Sequence, residues 1–188
     1  MKAKVFQEHL EKNIIPFWNR MVDNENGGFY GYADSDGNPD KNSIKGCILN
    51  SRILWFYSAA YQLLEKQELL EKADHAYAFL SEHFYDSRYG GVFWSVKADG
   101  TPEDTTKHTY NQAFAIYALS VYYQASRKKE ALNLAYSLYH VIESSCRDMK
   151  GYFEAFSRDF SPVSNEKLSE NGVMAERTMN TLLHVLEA

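Results

Sequence analysis

Two candidate functional side chains stand out because they fall on segments that are otherwise apolar. Arg52 lies in a stretch, 46–64, whose apolar residues cover nearly the whole circumference of a helix, and a buried arginine is usually paired or functional. A guanidinium there stays protonated and can hold two oxygen atoms at once, so it could stabilise an oxyanion. The alternative is a structural ion pair near the start of the helix.

The second candidate belongs to a polar stripe on the last apolar segment. Arg177, Asn180, His184 and Glu187 are spaced i, i+3, i+7 and i+10, which puts them on one face of a helix. We expect this stripe to face a central lumen. The imidazole of His184 could then transfer a proton near neutral pH or orient a substrate, although a hydrogen-bonded core histidine is the alternative.

A repeat organises the elements that must position these residues. The stretch 27–39 (GGFYGYADSDGNP) recurs as 90–102 (GGVFWSVKADGTP) and, in a more divergent form, as 150–162 (KGYFEAFSRDFSP). Each copy has a glycine start, a short aromatic-rich run and an Asp-x-x-Pro turn, which together predict a small β-hairpin. A repeat length of roughly 60 residues suits two helices plus one hairpin.

Two kinds of helix alternate between the hairpins. A single apolar stripe, typical of an outer helix with one wet face, is found in 5–22, 68–84 and 129–145. Apolar residues on nearly all sides, typical of a buried inner helix, are found in 46–64, 108–123 and 175–188. Pro16 should kink or break the first helix.

Stacked helical hairpins with an inner and an outer layer form an open solenoid or, when six of them close a ring, an α/α toroid. We therefore predict an all-α fold that is half of an (α/α)6 toroid, with about six helices in inner and outer pairs linked by short β-hairpins. Residues 1–188 are expected to be one domain, the first three helical hairpins of such a barrel. The last helix has no glycine or proline stop signal. We expect the missing half, or another copy, to cover the exposed inner helices.

The composition limits the kinds of partner that the chain can bind. The 188 residues carry a net charge of -5 and are 45% hydrophobic, which is typical of a soluble globular protein. An acidic chain without a basic run argues against nucleic acid as a partner. We found no secretory signal and no stretch apolar enough to span a membrane, so we expect a cytoplasmic protein. Cys47 and Cys146 stand alone and are expected to be buried, reduced thiols.

We expect neither a metal nor a cofactor. The run from Asp34 to Asp40 resembles the opening of a calcium loop, but Pro39 and Lys45 stand where that loop needs glycine and a bidentate glutamate. No two histidines have the spacing of a zinc site. The hairpin glycines also lack the G-x-G-x-x-G spacing of a nicotinamide-binding loop.

Three inner segments carry a resemblance to a known family. The runs KGCILNSRILWFYSAAY (45–61), KHTYNQAFAIYALS (107–120) and RTMNTLLHVLEA (177–188) are similar to N-acylglucosamine 2-epimerase family sequences, and most similar to the cellobiose 2-epimerase group within that family. The resemblance covers the whole chain in collinear order, but only the first half of such an enzyme. It implies an (α/α)6 barrel that inverts carbon 2 of a reducing-end sugar without a cofactor.

The resemblance also implies roles for residues. Arg52 and His184 match essential family positions, while Tyr110 and Asn180 match lumen positions that touch sugar hydroxyls. The family's other two essential histidines, the general acid and base, belong to the second half, so the isolated chain is expected to be inactive. Aromatic residues that could stack on sugar rings include Phe93, Trp94, Tyr110 and Phe114.

Other functions remain open at this point. N-acetylglucosamine or mannose could replace cellobiose as the substrate. A glycoside hydrolase on the same toroid would need a pair of carboxylates, for which Asp104, Glu154 and Glu176 are candidates, although turn and cap roles explain them better. A non-catalytic carbohydrate-binding fragment is the third possibility.

Overall fold

The computed structural model describes residues 2–167 and 174–188. The first helical rod consists of α1 (Lys2–His9), a π-helical turn (Leu10–Ile14) and α2 (Ile15–Arg20). The helices that follow are α3 (Cys47–Leu64), α4 (Gln67–Phe79), α5 (Thr109–Ser126), α6 (Lys129–Val141) and α7 (Met179–Glu187). Short strands connect them: β1 (Lys45–Gly46), β2 (Ser95–Val96), β3 (Pro102–Asp104), β4 (Lys107–His108), β5 (Arg147–Asp148), β6 (Gly151–Tyr152) and β7 (Ala155–Phe156).

The helices form the two predicted layers. Inner helix α5 packs between α3 and α7, and the outer helices α4 and α6 pack on α3 and α5. The expected fold is therefore confirmed: the described residues form half of an (α/α)6 barrel. In this part of the chain, no helix is both long and apolar enough to cross a membrane.

Two tight connections join inner to outer helices. Glu65 (φ 54°) and Arg127 (φ 59°) end α3 and α5 in the left-handed conformation, and the next residue already caps the outer helix. Such short loops force antiparallel neighbours. Pro16 was expected to kink or break the first helix, and the regular α-helix is interrupted just before it. It lies in the first turn of α2, where a missing N–H is tolerated, after the π-helical turn has widened the helix.

Each predicted hairpin is in fact a pair of turns. In the three repeats, taken in order, the first turn is closed by the bridge Val22–Phe29, the bridge Tyr85–Val92 and the β5–β6 pair. The second turn is closed by the bridge Ala33–Pro39, the β2–β3 pair and the bridge Phe156–Pro162. The strand before an inner helix also pairs with the next hairpin, because β1 pairs with β2 and β4 with β7. These ladders join each repeat to the following one.

An ion pair fastens each hairpin to the inner helix behind it, and in the first two repeats this pair is buried. Lys45 and Lys107 immediately precede the cap residues of α3 and α5, and their ammonium groups bond to Asp23 (2.8 Å) and Asp86 (3.2 Å). Each ammonium also bonds to a glycine carbonyl at the hairpin start, at 2.8 Å. Before α7, the guanidinium of Arg177 contacts Asp148 at 2.5 Å. This repeated element was not predicted from the sequence.

The last helix differs from the expected inner helix. It begins at Met179 rather than near residue 175, and Thr181 is its one residue classed as buried. Four of its apolar side chains, which the pattern placed in the interior, are at least half exposed: Met179, Leu182, Leu183 and Leu186. Within the described residues, this helix has a neighbour on one side, α5, and an open apolar face on the other.

Candidate active site

Arg52, Phe114 and His184 occupy equivalent positions on three successive inner helices. Each is the sixth residue after the residue that caps its helix, namely Gly46, His108 and Thr178. Because the inner helices lie side by side, these three side chains form one level of the concave wall. On each of these helices, the residue four positions before and the residue three positions after lie on the same helical face.

The rings and the guanidinium of this level are in contact. The Cζ atom of Arg52 lies 4.7 Å from the centroid of the Phe114 ring, and the His184 ring lies 4.5 Å from it. Tyr110, one turn earlier on α5, meets His184 edge-on at 4.8 Å and Phe114 at 4.9 Å. We call these four residues the lumen cluster. Phe114 and Tyr110 are nearly buried, so the ring wall that supports both polar groups is fixed.

Arg52 is exposed on the concave side of α3. It makes no ion pair with any residue in 2–167 or 174–188; its described contact is the Phe114 ring. The described contacts of Arg52 therefore do not support a structural ion pair. An arginine without an acidic partner keeps its donors available for an incoming oxygen.

An apolar cavity of about 470 Å³ lies next to Arg52. Its wall includes Trp18, Phe56 and the parallel rings of Trp55 and Tyr117, which stack 5.8 Å apart at an angle of 12°. Trp55 and Tyr117 are each the ninth residue after the cap of their helix, so they form the level one turn beyond Arg52 and Phe114. The cation therefore lies at the edge of an aromatic hollow.

The predicted polar stripe on the last helix is only partly correct. Arg177 precedes α7 and is held by Asp148, with its Cζ 3.9 Å from the Phe153 ring. It anchors the hairpin instead of lining the lumen. Asn180, in the first turn of α7, is exposed, His184 contacts the rings of the lumen cluster, and Glu187 bonds to His184.

Glu154 fixes the start of α7 and so the position of His184. Its carboxylate is 1% exposed, accepts the backbone N–H of Thr178 at 2.6 Å and accepts the hydroxyl of Thr181 at 2.5 Å. A carboxylate at a helix N-terminus satisfies free N–H groups and suits the helix dipole. From the sequence, Glu154 was a candidate carboxylate of a hydrolase or, as the better explanation, a turn or cap residue, and its hydrogen bonds at the start of α7 support the cap role.

The other carboxylates proposed for a hydrolase also have structural partners. Asp104 accepts hydrogen bonds from Thr106 and pairs with Lys167, and Glu176 lies on the surface, 3.7 Å from Arg177. They are turn and surface residues, as the alternative interpretation held. No group of three metal-binding side chains comes together in the described part of the chain.

Trp94 lies apart from the lumen cluster. Its ring is 4.6 Å from His108 and 5.2 Å from the ammonium of Lys167. Phe93 is 3% exposed and packs under Lys107, so it is a core residue. Burial, followed by the charge of Lys167, lowers the pKa of His108 to about 4, so this imidazole is neutral.

The two cysteines behave as predicted. Both are free and buried, and burial raises the pKa of Cys47 to about 12 and that of Cys146 to about 11. Neither thiol forms a thiolate near neutral pH, so both are structural.

Comparison with known proteins decides the family. The model of the N-acylglucosamine 2-epimerase (GlcNAc 2-epimerase) family matches residues 28–180. The chain belongs to this family. It is 60% identical over 188 residues to a cellobiose 2-epimerase of Eubacterium cellulosolvens. The matched region covers all of this chain and 46% of the relative.

Solved structures agree with this membership. A sugar epimerase from a ruminal bacterium superposes with a TM-score of 0.96 at 53% identity, covering 99% of this chain and 48% of the other. The cellobiose 2-epimerase of Bacillus thermoamylovorans B4167 superposes with a TM-score of 0.94 at 46% identity, covering 99% and 49%. The chain thus spans about half the length of the relatives it matches.

Proposed function

We propose that this chain supplies the oxyanion-stabilising half of a sugar 2-epimerase that acts on the reducing end of cellobiose-like oligosaccharides. The observation that carries the proposal is the lumen cluster, in which a guanidinium with no acidic partner among residues 2–167 and 174–188 and an imidazole contact one aromatic ring. Relatives named cellobiose 2-epimerase match the chain along its whole length. The substrate is a small sugar, and the complementary wall comes from the other half of the barrel.

The reaction explains why these groups are needed. After the sugar ring opens, a base removes the proton from carbon 2, and the electron pair moves toward the carbonyl to give an enediolate. A proton then returns to carbon 2 from the opposite face, so no atom is gained or lost. Negative charge accumulates on the former carbonyl oxygen, and a fixed cation beside that oxygen is the main electrostatic requirement.

Arg52 meets this requirement on this side of the lumen. Its guanidinium can hold two neighbouring oxygens with a planar pair of N–H donors. The Phe114 ring under the guanidinium holds it by a cation–π contact without using its donors. Closing the barrel removes water from this surface, which strengthens the interaction with the developing charge.

His184 and Tyr110 would bind and orient the sugar. They meet edge to face on the same wall, so a hydroxyl that reaches one of them is close to the other. The two histidines that carry protons to and from carbon 2 are assigned by the family resemblance to the missing half. The isolated chain should therefore turn over neither cellobiose nor mannose.

The direct test is a fusion of residues 1–188 to the remaining part of the Eubacterium cellulosolvens relative. With cellobiose in deuterium oxide, the fusion should produce the carbon-2 epimer with one deuterium at carbon 2, which NMR and mass spectrometry detect. Simple hydrolysis would release glucose without deuterium at carbon 2, and a binding module would give no product. Either result from a folded fusion would overturn the proposal.

A further inference from the structure

One contact of the lumen cluster carries a further inference. The Nδ1 atom of His184 lies 2.8 Å from a carboxylate oxygen of Glu187, one turn further along α7. A carboxylate is only an acceptor, so the hydrogen of this bond belongs to Nδ1 of the imidazole. In the neutral ring the other nitrogen, Nε2, then carries a lone pair.

Nothing in the described part of the chain occupies that second nitrogen. Among residues 2–167 and 174–188, the side chain of His184 makes one hydrogen bond, to Glu187. Its other contacts are with the rings of Tyr110 and Phe114. The histidine is therefore anchored on one side by a carboxylate and on two others by aromatic rings.

Glu187 stands at a defined level of the lumen wall. It is the ninth residue after the cap of α7, the position held on α3 and α5 by the stacked pair Trp55 and Tyr117. Two inner helices thus place an aromatic ring one turn beyond the lumen cluster, and the third places an acid there. The acid falls on the helix that carries the histidine.

We infer that Glu187 is a positioning residue that fixes His184 in the Nδ1–H tautomer, so that Nε2 accepts a hydrogen bond or a proton from a sugar hydroxyl. When Nε2 takes up a proton, the carboxylate stabilises the resulting imidazolium, and the same proton can be returned without turning the ring. This inference rests on the proposed function for its substrate, but the tautomer itself is a property of the chain.

Two other histidines provide internal controls with the opposite tautomer. Nε2 of His75 lies 2.9 Å from the carbonyl oxygen of Gly28, so Nε2 must donate there. Nδ1 of His9 lies 3.1 Å from the side-chain nitrogen of Asn13, which is a donor, so Nδ1 must accept. One spectrum of the 188-residue chain therefore contains both types.

The test is nitrogen-15 NMR of the histidine rings in the 188-residue chain near neutral pH. His184 should show a protonated Nδ1, whereas His75 and His9 should show a protonated Nε2. Glu187→Ala should abolish the dominance of the Nδ1–H form, and Glu187→Gln should retain it, because the amide oxygen can still accept. A His184 ring protonated mainly at Nε2, or one unaffected by Glu187→Ala, would overturn the inference.

A kinetic test in the fusion separates this inference from the proposed function and serves if the isolated chain is poorly soluble. Glu187→Ala should lower kcat at least about tenfold with little change in KM, and Glu187→Gln should restore most of the loss. An active fusion that is indifferent to Glu187→Ala contradicts the positioning role alone. An inactive fusion with the Nδ1–H form intact contradicts the proposed function alone.

Discussion

Lys45 lies in β1, immediately before α3, and Arg52 lies on α3 itself, yet their surroundings are opposite. Lys45 is fully buried and bonds to Asp23 and to a glycine carbonyl. Arg52 is exposed on the concave wall and has an aromatic ring, but no acid, among its described neighbours. The first cation is committed to the fold, and the second is available to a ligand.

The same contrast separates the hairpin end of the barrel from the lumen. At the hairpin end, the pairs Lys45–Asp23 and Lys107–Asp86 are buried and satisfied. In the lumen cluster, Arg52 and His184 rest on the ring of Phe114, and their one hydrogen-bond partner in the part of the chain that the structure describes is Glu187, bonded to His184. A buried ion pair is costly to break, whereas an exposed side chain contributes little to stability. Mutations at the hairpin end should therefore lower the free energy of unfolding much more than mutations of the exposed lumen side chains.

The largest effect is expected from Asp86→Ala. This carboxylate accepts the ammonium of Lys107 and two N–H groups of Arg158, at 2.8 and 3.0 Å. Burial raises the pKa of Asp86, but these partners hold that pKa well below its usual range. Leaving Lys107 buried without its partner should cost about 3–5 kcal/mol in the free energy of unfolding, measured with urea.

The control for Asp86→Ala is Asp36→Ala. Asp36 is exposed in a hairpin turn, and its loss should change the unfolding free energy by no more than about 0.5 kcal/mol. Asp23→Ala should resemble Asp86→Ala, because it removes the same interaction from the preceding repeat. Equal, small effects for Asp86 and Asp36 would show that the ion pairs do not hold the hairpins.

Lowering the pH is expected to have a somewhat smaller effect on the free energy of unfolding. Below the ordinary histidine pKa of about 6.5, the unfolded chain binds a proton at His108 that the folded chain refuses until about pH 4. Stability should fall as the pH is lowered through this window, by roughly 3 kcal/mol in total. Urea unfolding of the wild type and of His108→Gln at several pH values would measure the difference. Parallel pH curves for the two proteins would contradict the burial of a neutral imidazole.

The smallest effect on stability is expected from Arg52→Ala. The residue lies on an inner helix, but its guanidinium is exposed and without an acidic partner among the described residues. Its removal should change the unfolding free energy by no more than about 0.5 kcal/mol. A loss as large as that of Asp86→Ala would mean that Arg52 belongs to the fold, and the contrast between the two cations would disappear.

Periodic patterns predicted much of the fold. The inner and outer layers follow from how apolar residues are spaced around each helix, and the hairpins follow from glycine and proline at fixed offsets. Local patterns of this kind report which face of an element is buried. The same information placed Arg52 on an inner helix and His184 on the face of α7 that meets the Phe114 ring.

Partners distant in sequence were harder to predict. The bond from Lys45 to Asp23 and the cap that Glu154 provides for α7 depend on how strands of successive repeats pair. The periodicity of a single helix carries no information about such contacts. For the same reason Arg177 was assigned to the lumen, since its spacing fits the helical stripe although the helix begins after it. The exposed apolar face of α7, by contrast, agrees with the expectation that half of a toroid leaves apolar surface of its inner helices uncovered.

The measurement that tests the central claim most directly is kcat/KM for carbon-2 epimerisation of cellobiose by the fusion carrying Arg52→Ala. The control is Arg20→Ala, which removes another exposed arginine that lies over a phenylalanine ring, 5.6 Å from Phe17. We predict a loss of at least about a hundredfold for Arg52→Ala, with wild-type stability and a near-normal value for Arg20→Ala. A folded Arg52→Ala fusion that epimerises cellobiose as fast as Arg20→Ala would contradict the account.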